Sequence, residues 1–123
     1  MKKEEIVIIN KEVLKTREVI GLIEKVKIEG KEVLAKIDTG AVRSSIDINL
    51  AAELKLGPII AVRDYRNVHG KTTRAVLKAK LEIKGRKFIG IFNIMDRKRL
   101  KYRVLLGDSI LKKGRFIVDP LKK

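Results

Sequence analysis

Asp38-Thr39-Gly40 is the stretch whose residue types could do chemistry. Thr39 carries a hydroxyl that donates or accepts a hydrogen bond. Gly40 lets the backbone turn sharply and approach another chain closely. Together they suit a carboxylate held at a fixed place. The same three residue types are ordinary turn formers, so context has to separate the two readings. An apolar run precedes the turn, Ala41 follows it, and a second apolar run ending in glycine lies far downstream at Val104-Leu105-Leu106-Gly107. Ser44 and Ser45 would be nucleophiles only beside a base. The one histidine, His69, is the sole candidate for that base, and otherwise it is an exposed loop residue. Arg43, Arg74, Arg97 and Arg103 are either solvated surface charge or forks for carboxylates. Asp96-Arg97 could instead be a structural ion pair within a loop.

The elements that must position these residues read as short strands. Val33, Ala35 and Ile37 fall on one face at period two and deliver Asp38 to a strand end. Val19 to Ile28 is expected as the preceding strand, with Glu29-Gly30-Lys31 as the hairpin turn between the two. Ser44-Ser45-Ile46 is a short strand, and Asp47 or Asn49 caps a helix running to Leu56 before Gly57-Pro58. Ile59 to Val68 is extended, His69-Gly70-Lys71 turns, and Thr72 to Ile83 returns. In the return, Leu77, Ala79, Leu81 and Ile83 alternate with Lys78, Lys80, Glu82 and Lys84, the pattern of a half-buried strand. Phe88 to Ile94 is apolar on both faces, which predicts a central strand. Tyr102 to Leu106 is a strand, Asp108 or Ser109 caps a short helix that Gly114 stops, and Arg115 to Val118 is the last strand. Many short strands with one or two short helices describe a mostly β protein, a small closed β-barrel. Residues 1–18 are expected as an N-terminal arm or edge strand, and 19–123 as the single domain.

Composition narrows the partners. The chain of 123 residues can build a core without staples. It has no cysteine, which removes disulfides and thiolate zinc sites and fits a reducing compartment. With a single histidine, a His-rich metal site is excluded, so neither metal nor cofactor is expected. The apolar run Ile6 to Ile9 is too short for a signal segment, and no run approaches a membrane span, so the expected location is the cytoplasm with no membrane partner. Thirty basic residues against fifteen acidic give a net charge of +15. A field of that sign gathers anions. Aromatic residues are few, and Phe88, Phe92 and Phe116 sit inside apolar runs, which leaves little for base stacking.

Further motifs follow in order: Val19-Ile20-Gly21-Leu22-Ile23-Glu24, Ala35 to Ala41, Arg43 to Asp47, Arg74 after a turn, Asp96-Arg97, Tyr102 to Gly107, and Arg115 to Pro120. This string resembles the retropepsin-like aspartic proteases found beside RimK-type glutamate ligases and often labelled "putative ATP-dependent zinc protease", with the archaeal branch the most similar. The sequence offers neither a nucleotide-binding glycine loop nor a set of zinc ligands, so ATP and zinc are set aside. The resemblance implies a retropepsin-type barrel with Asp38, Thr39 and Gly40 as the catalytic turn and Leu106-Gly107 packed behind it. It also implies removal of glutamates from acidic protein tails. Substrate contacts are expected from Ala41, Arg43, Arg74, Leu106 and Gly107, and from His69, Gly70 and Lys71 at the tip of a covering hairpin.

Hydrolysis by carboxylates uses two of them close together, one protonated as acid and the other acting as base on a water. One chain supplies one such turn, so a homodimer with Asp38 facing its mate is expected. The first reading is therefore an aspartic peptidase acting on acidic peptides. The rival is a non-catalytic retropepsin-like module that binds nucleic acid or a ribosome through its charge. A metal hydrolase is disfavoured by the ligand count.

Overall fold

A computed structural model describes residues 16–122. Most of the 1–18 segment expected as an arm or edge strand lies outside the described residues. Nine strands and two short helices follow in order: β1 Glu18–Ile20, β2 Ile23–Ile28, β3 Lys31–Ile37, β4 Ser44–Asp47, α1 Ile48–Glu53, β5 Ile59–Asn67, β6 Gly70–Ile83, β7 Arg86–Met95, β8 Val104–Leu106, α2 Asp108–Gly114 and β9 Phe116–Val118.

Period-two burial makes the barrel. On β2 and β3, Val26, Ile28, Ala35 and Ile37 point inward while Lys25, Lys27 and Lys36 point out. Glu29 and Gly30 both take positive φ, the backbone a tight two-residue hairpin requires. The ring runs β2-β3-β8-β4-β7-β6, and the pairs Lys27↔Glu82 and Ile28↔Leu81 return it to β2. Six strands thus close, as the alternating pattern implied. Ile28, Ile46, Leu81, Phe92, Val104 and Leu106 fill the interior. The β6 alternation is as expected, with Leu77, Ala79, Leu81 and Ile83 buried and Lys78 and Lys80 exposed.

Several elements differ from the sequence expectation. The Val19–Ile28 strand breaks at Gly21-Leu22. A side chain at Gly21 would press within 2.7 Å of the Lys122 carbonyl, and the Gly21 N–H is taken by the Glu24 carboxylate. The first half, β1, pairs instead in parallel with β9 as a separate two-stranded sheet. Helix α1 stops at Glu53, well short of Gly57-Pro58, because Lys55 takes a left-handed conformation. Helix α2 is capped by neither expected side chain. It ends on Arg115 in the left-handed region, while Gly114 is its last residue, packed against the Phe116 ring. Strand β7 does lie between β4 and β6, and its inward face is Gly90 and Phe92 with the half-buried Phe88 and Ile94. Its outer Ile89 and Ile91 are exposed.

Strand β5 hangs from β6 outside the ring. The β6–β7 ladder begins at Ala75, so residues 63–67 and 70–74 pair only with each other and project as a free hairpin. Its turn is Val68-His69, one residue ahead of the expected one, with Gly70 at φ +125°. Among the described residues, no helix is long and apolar enough to cross a membrane.

Candidate active site

Strand β3 ends by placing Asp38 on the barrel rim. Its backbone N–H donates to the Leu106 carbonyl at 3.0 Å, and its own carbonyl accepts from Ala41 N–H at 3.2 Å. The half-buried carboxylate receives the Gly40 N–H on Oδ1 at 2.9 Å. A side chain at Gly40 would stand 3.3 Å from that same oxygen, so glycine here serves the carboxylate of its own turn. Thr39 is exposed and lines a cavity of about 330 Å³ shared with Asp108, Lys112, Phe116 and Val118.

The second apolar-apolar-glycine run clamps the loop. Gly107 N–H donates to the buried Ser44 hydroxyl at 2.9 Å. Asp108 N–H donates to the Ala41 carbonyl at 2.6 Å and Ser109 N–H to the Val42 carbonyl at 3.1 Å. A side chain at Gly107 would meet the Arg43 and Ala41 carbonyls at 2.5 and 2.7 Å. Both contacts are backbone, which cannot swing aside. Gly107→Ala is therefore expected to destabilise the fold by about 3 kcal/mol, the upper range of overpacking, with the loop at Asp38 displaced. Chemical denaturation and the amide spectrum of residues 38–44 would test this; an unshifted loop would overturn it.

Ser44 is thus occupied as the acceptor that positions Gly107. Ser45 accepts from Arg97 Nη1 at 3.2 Å. His69 stands at the exposed hairpin turn, where its backbone N–H donates to Asn67 Oδ1 at 2.8 Å. No serine–histidine couple forms. Lys71 pairs with Asp64 at 3.7 Å along the same hairpin, and Arg74 sits opposite Arg63 in register.

The arginines divide. Arg43 is exposed, with its guanidinium 5.7 Å from the Tyr65 ring centroid. Tyr65 in turn donates to Asn93 Oδ1 at 3.1 Å. Arg43, Arg63, Ile91, Asn93 and Ser109 surround a small cavity of about 120 Å³. Arg63 was not among the sequence candidates. Its signal lay in register, since strand partners share a face and Arg63↔Arg74 places like charges opposite each other.

Arg97 is buried, and Arg103 is partly exposed but held by carboxylates. Arg97 is neither solvated nor paired within its loop: its backbone N–H donates to Asp47 Oδ1 at 2.7 Å and its Nε to the Tyr102 carbonyl at 3.1 Å. Asp96 instead accepts from Lys98 N–H. Arg103 does fork carboxylates, those of Asp47 at 3.2 Å and Glu53 at 2.8 Å. The fully buried Asp47 also caps α1 through Asn49 and Leu50 N–H. Burial by itself would raise its carboxyl; the N–H groups of Arg97 and Leu50 and the Arg103 guanidinium outweigh it and hold the carboxyl below its ordinary value. The Arg103 hydrogen bond likewise lowers the Glu53 carboxyl. Burial lowers Arg97, opposed by the Asp47 charge. Among the described residues no three His, Cys, Asp or Glu side chains converge on a metal site.

Known structures share this architecture. A Legionella pneumophila protein of unknown function (DUF785) superposes with a TM-score of 0.63 at 18% identity, covering 86% of this chain and 95% of its own. The protease of simian foamy virus (mac) gives 0.58 at 21% identity, covering 73% and 91%. Those identities speak for the fold. No curated protein matches the sequence. One family model, described as the retropepsin-like aspartic endopeptidase RimB, matches residues 48–123. The matched stretch carries the free hairpin, the Gly107 clamp and α2, and begins beyond the Asp38 turn. With well over half of its length matched, the chain belongs to the RimB-like family of retropepsin-like aspartic endopeptidases.

Proposed function

We propose that the protein is a homodimeric aspartic peptidase in which the Asp38 carboxylates of two copies activate one water against a peptide bond of an acidic chain. The observation that carries this reading is the Asp38 carboxylate itself. It stands at the rim of a barrel of the protease type, oriented by Gly40 N–H and fixed from behind by Leu106 and Gly107. One carboxylate takes a proton from the water as its oxygen attacks the carbonyl carbon. The other gives its proton to the carbonyl oxygen, forming a gem-diol. The first then passes its proton to the nitrogen as the carbon–nitrogen bond breaks, and a diol hydroxyl returns a proton to the other. Thr39 braces the turn. The free hairpin, with His69, Gly70 and Lys71 at its end, covers the substrate. Arg43 and Arg74, within a chain of net charge +15, supply the preference for Glu-rich peptides. The lack of cysteine fits work in the cytoplasm.

Shared carboxylates make activity depend on association. Light scattering over a concentration series is expected to show a dimer, and specific activity on a Glu-rich peptide should fall as the dimer dissociates. A strict monomer that cleaves peptides would overturn the paired mechanism.

A further inference from the structure

The outer wall of the barrel carries a feature that cleavage at Asp38 does not use. Side chains of β6 and β7 alternate, so the outward pairs in register are Lys78↔Ile91, Lys80↔Ile89 and Glu82↔Lys87. Ile89 and Ile91 are exposed at 41% and 40%, a pair of branched side chains open to water in the middle of a sheet. Lysines surround them. Lys113 reaches over from α2 to donate to the Ile89 carbonyl at 2.8 Å. Among the described residues, the ion pairs involve none of Lys27, Lys78, Lys80 or Lys87. Three carboxylates stand there as well: Glu29, which accepts the Lys80 backbone N–H at 2.7 Å, the half-buried Glu82, and Glu32 opposite Lys27 in register. The ammonium groups outnumber them.

The surface is a connected run of depressions. The cavity at Arg43 and Arg63 shares Ile91 with a second of about 510 Å³ beside Lys78 and Lys113. That one shares Lys80 and Ile89 with a third of about 390 Å³, walled by Lys27, Lys87 and Phe88. From Asn93 to Lys87 the run follows β7 for about 20 Å at the rise of a strand. One end lies beside the Asp38 loop, and the other lies far down the barrel.

We propose that this run is a docking track for an acidic polypeptide segment bearing apolar side chains, a continuation of the substrate chain beyond the cleaved bond. Identifying the segment with substrate rests on the peptidase reading above; the binding surface itself does not. Charge complementarity selects an anionic partner. The apolar floor selects a polypeptide over a nucleic acid, because a phosphodiester backbone has nothing to place on Ile89 and Ile91. The track also lacks the exposed aromatic residues that stack bases. Strand β7 pairs with β6 along this stretch and meets β4 only from Phe92 onward, and the Ile89 carbonyl on its other edge is taken by Lys113, so the outward side chains offer the binding surface.

The test uses Asp38→Asn protein, so that bound peptides persist, and fluorescence anisotropy at low salt. The probes are a Glu-rich peptide with a leucine at every fourth position, an all-Glu peptide of equal length, and duplex DNA. The leucine peptide is expected to bind best. Lys80→Glu with Lys87→Glu should weaken it about tenfold. Ile89→Ser should weaken it about threefold while leaving the all-Glu peptide unchanged. In the otherwise native enzyme, cleavage of a short neutral peptide should not change with any of these substitutions. Affinities equal to the parent in every variant would overturn the track. So would tight DNA binding that falls with the lysines and ignores Ile89. If the protein cleaves nothing yet the leucine peptide binds with this pattern, the peptidase reading fails and the track stands.

Discussion

Asp38→Asn is expected to remove peptide hydrolysis by about 10³-fold or more while leaving the fold in place, in the range expected when a positioned acid or base is lost. The side-chain amide keeps an oxygen that can accept the Gly40 N–H, so the local turn survives. Nothing in the core depends on this side chain, which sits at the rim. What the amide cannot do is take a proton from water and return it. The check is a pair of measurements: the cleavage rate on a Glu-rich peptide and the thermal midpoint of the variant beside the parent. A variant that keeps its rate would remove Asp38 from the chemistry. A variant that loses rate and midpoint together would show only a damaged fold.

The largest effect on stability is expected at Asp47. This side chain has no part in the proposed chemistry. Asp47→Ala deletes the cap of α1, leaves Arg97 N–H without its acceptor, and frees Arg103 from the buried half of its fork. Breaking a buried charged network by removing one partner costs about 3–5 kcal/mol, a large share of the roughly 5–15 kcal/mol a domain has. The same group sets an acid limit. Its carboxyl is held below the ordinary value of 3.8 in the folded protein. Its contribution is therefore complete above the unfolded value and lost as pH falls through the folded one. Urea unfolding at neutral pH should show the full gap between parent and Asp47→Ala, and the gap should narrow below about pH 4. A gap under about 1 kcal/mol at neutral pH would mean the network is worth no more than a surface pair.

Period-two burial was the most legible part of the fold. The Leu77–Ile83 alternation and the apolar run into Asp38 identified strands because each inward residue carries its own hydrophobic signature. The sequence did not disclose which arginine goes where. Arg97 and Arg43 look alike as text. Only the arrival of β4 beside β7 brings Asp47 and Ser45 to Arg97 from some fifty positions away. Apolar residues on both faces of Phe88 to Ile94 predict a central strand, and nothing local announces that the face carrying Ile89 and Ile91 stays open. The break at Gly21 was hidden for the same reason. Its cause, the Lys122 carbonyl, lies at the other end of the chain. The Asp38 turn was legible because its carboxylate, its hydrogen-bond donor and its glycine are neighbours in sequence.

The parallel pairing of β1 with β9 carries a consequence for synthesis. Glu18 meets Phe116, so the first described strand leaves the ribosome well before its partner strand β9 exists. At about 5–20 residues per second, that interval is on the order of ten seconds. During it Val19 and Ile20 present an unpaired edge, the kind that recruits strands from other chains. Crowded polysomes are therefore where this protein is most exposed to mispairing, and slowing elongation late in the message should lower its yield more than slowing it early.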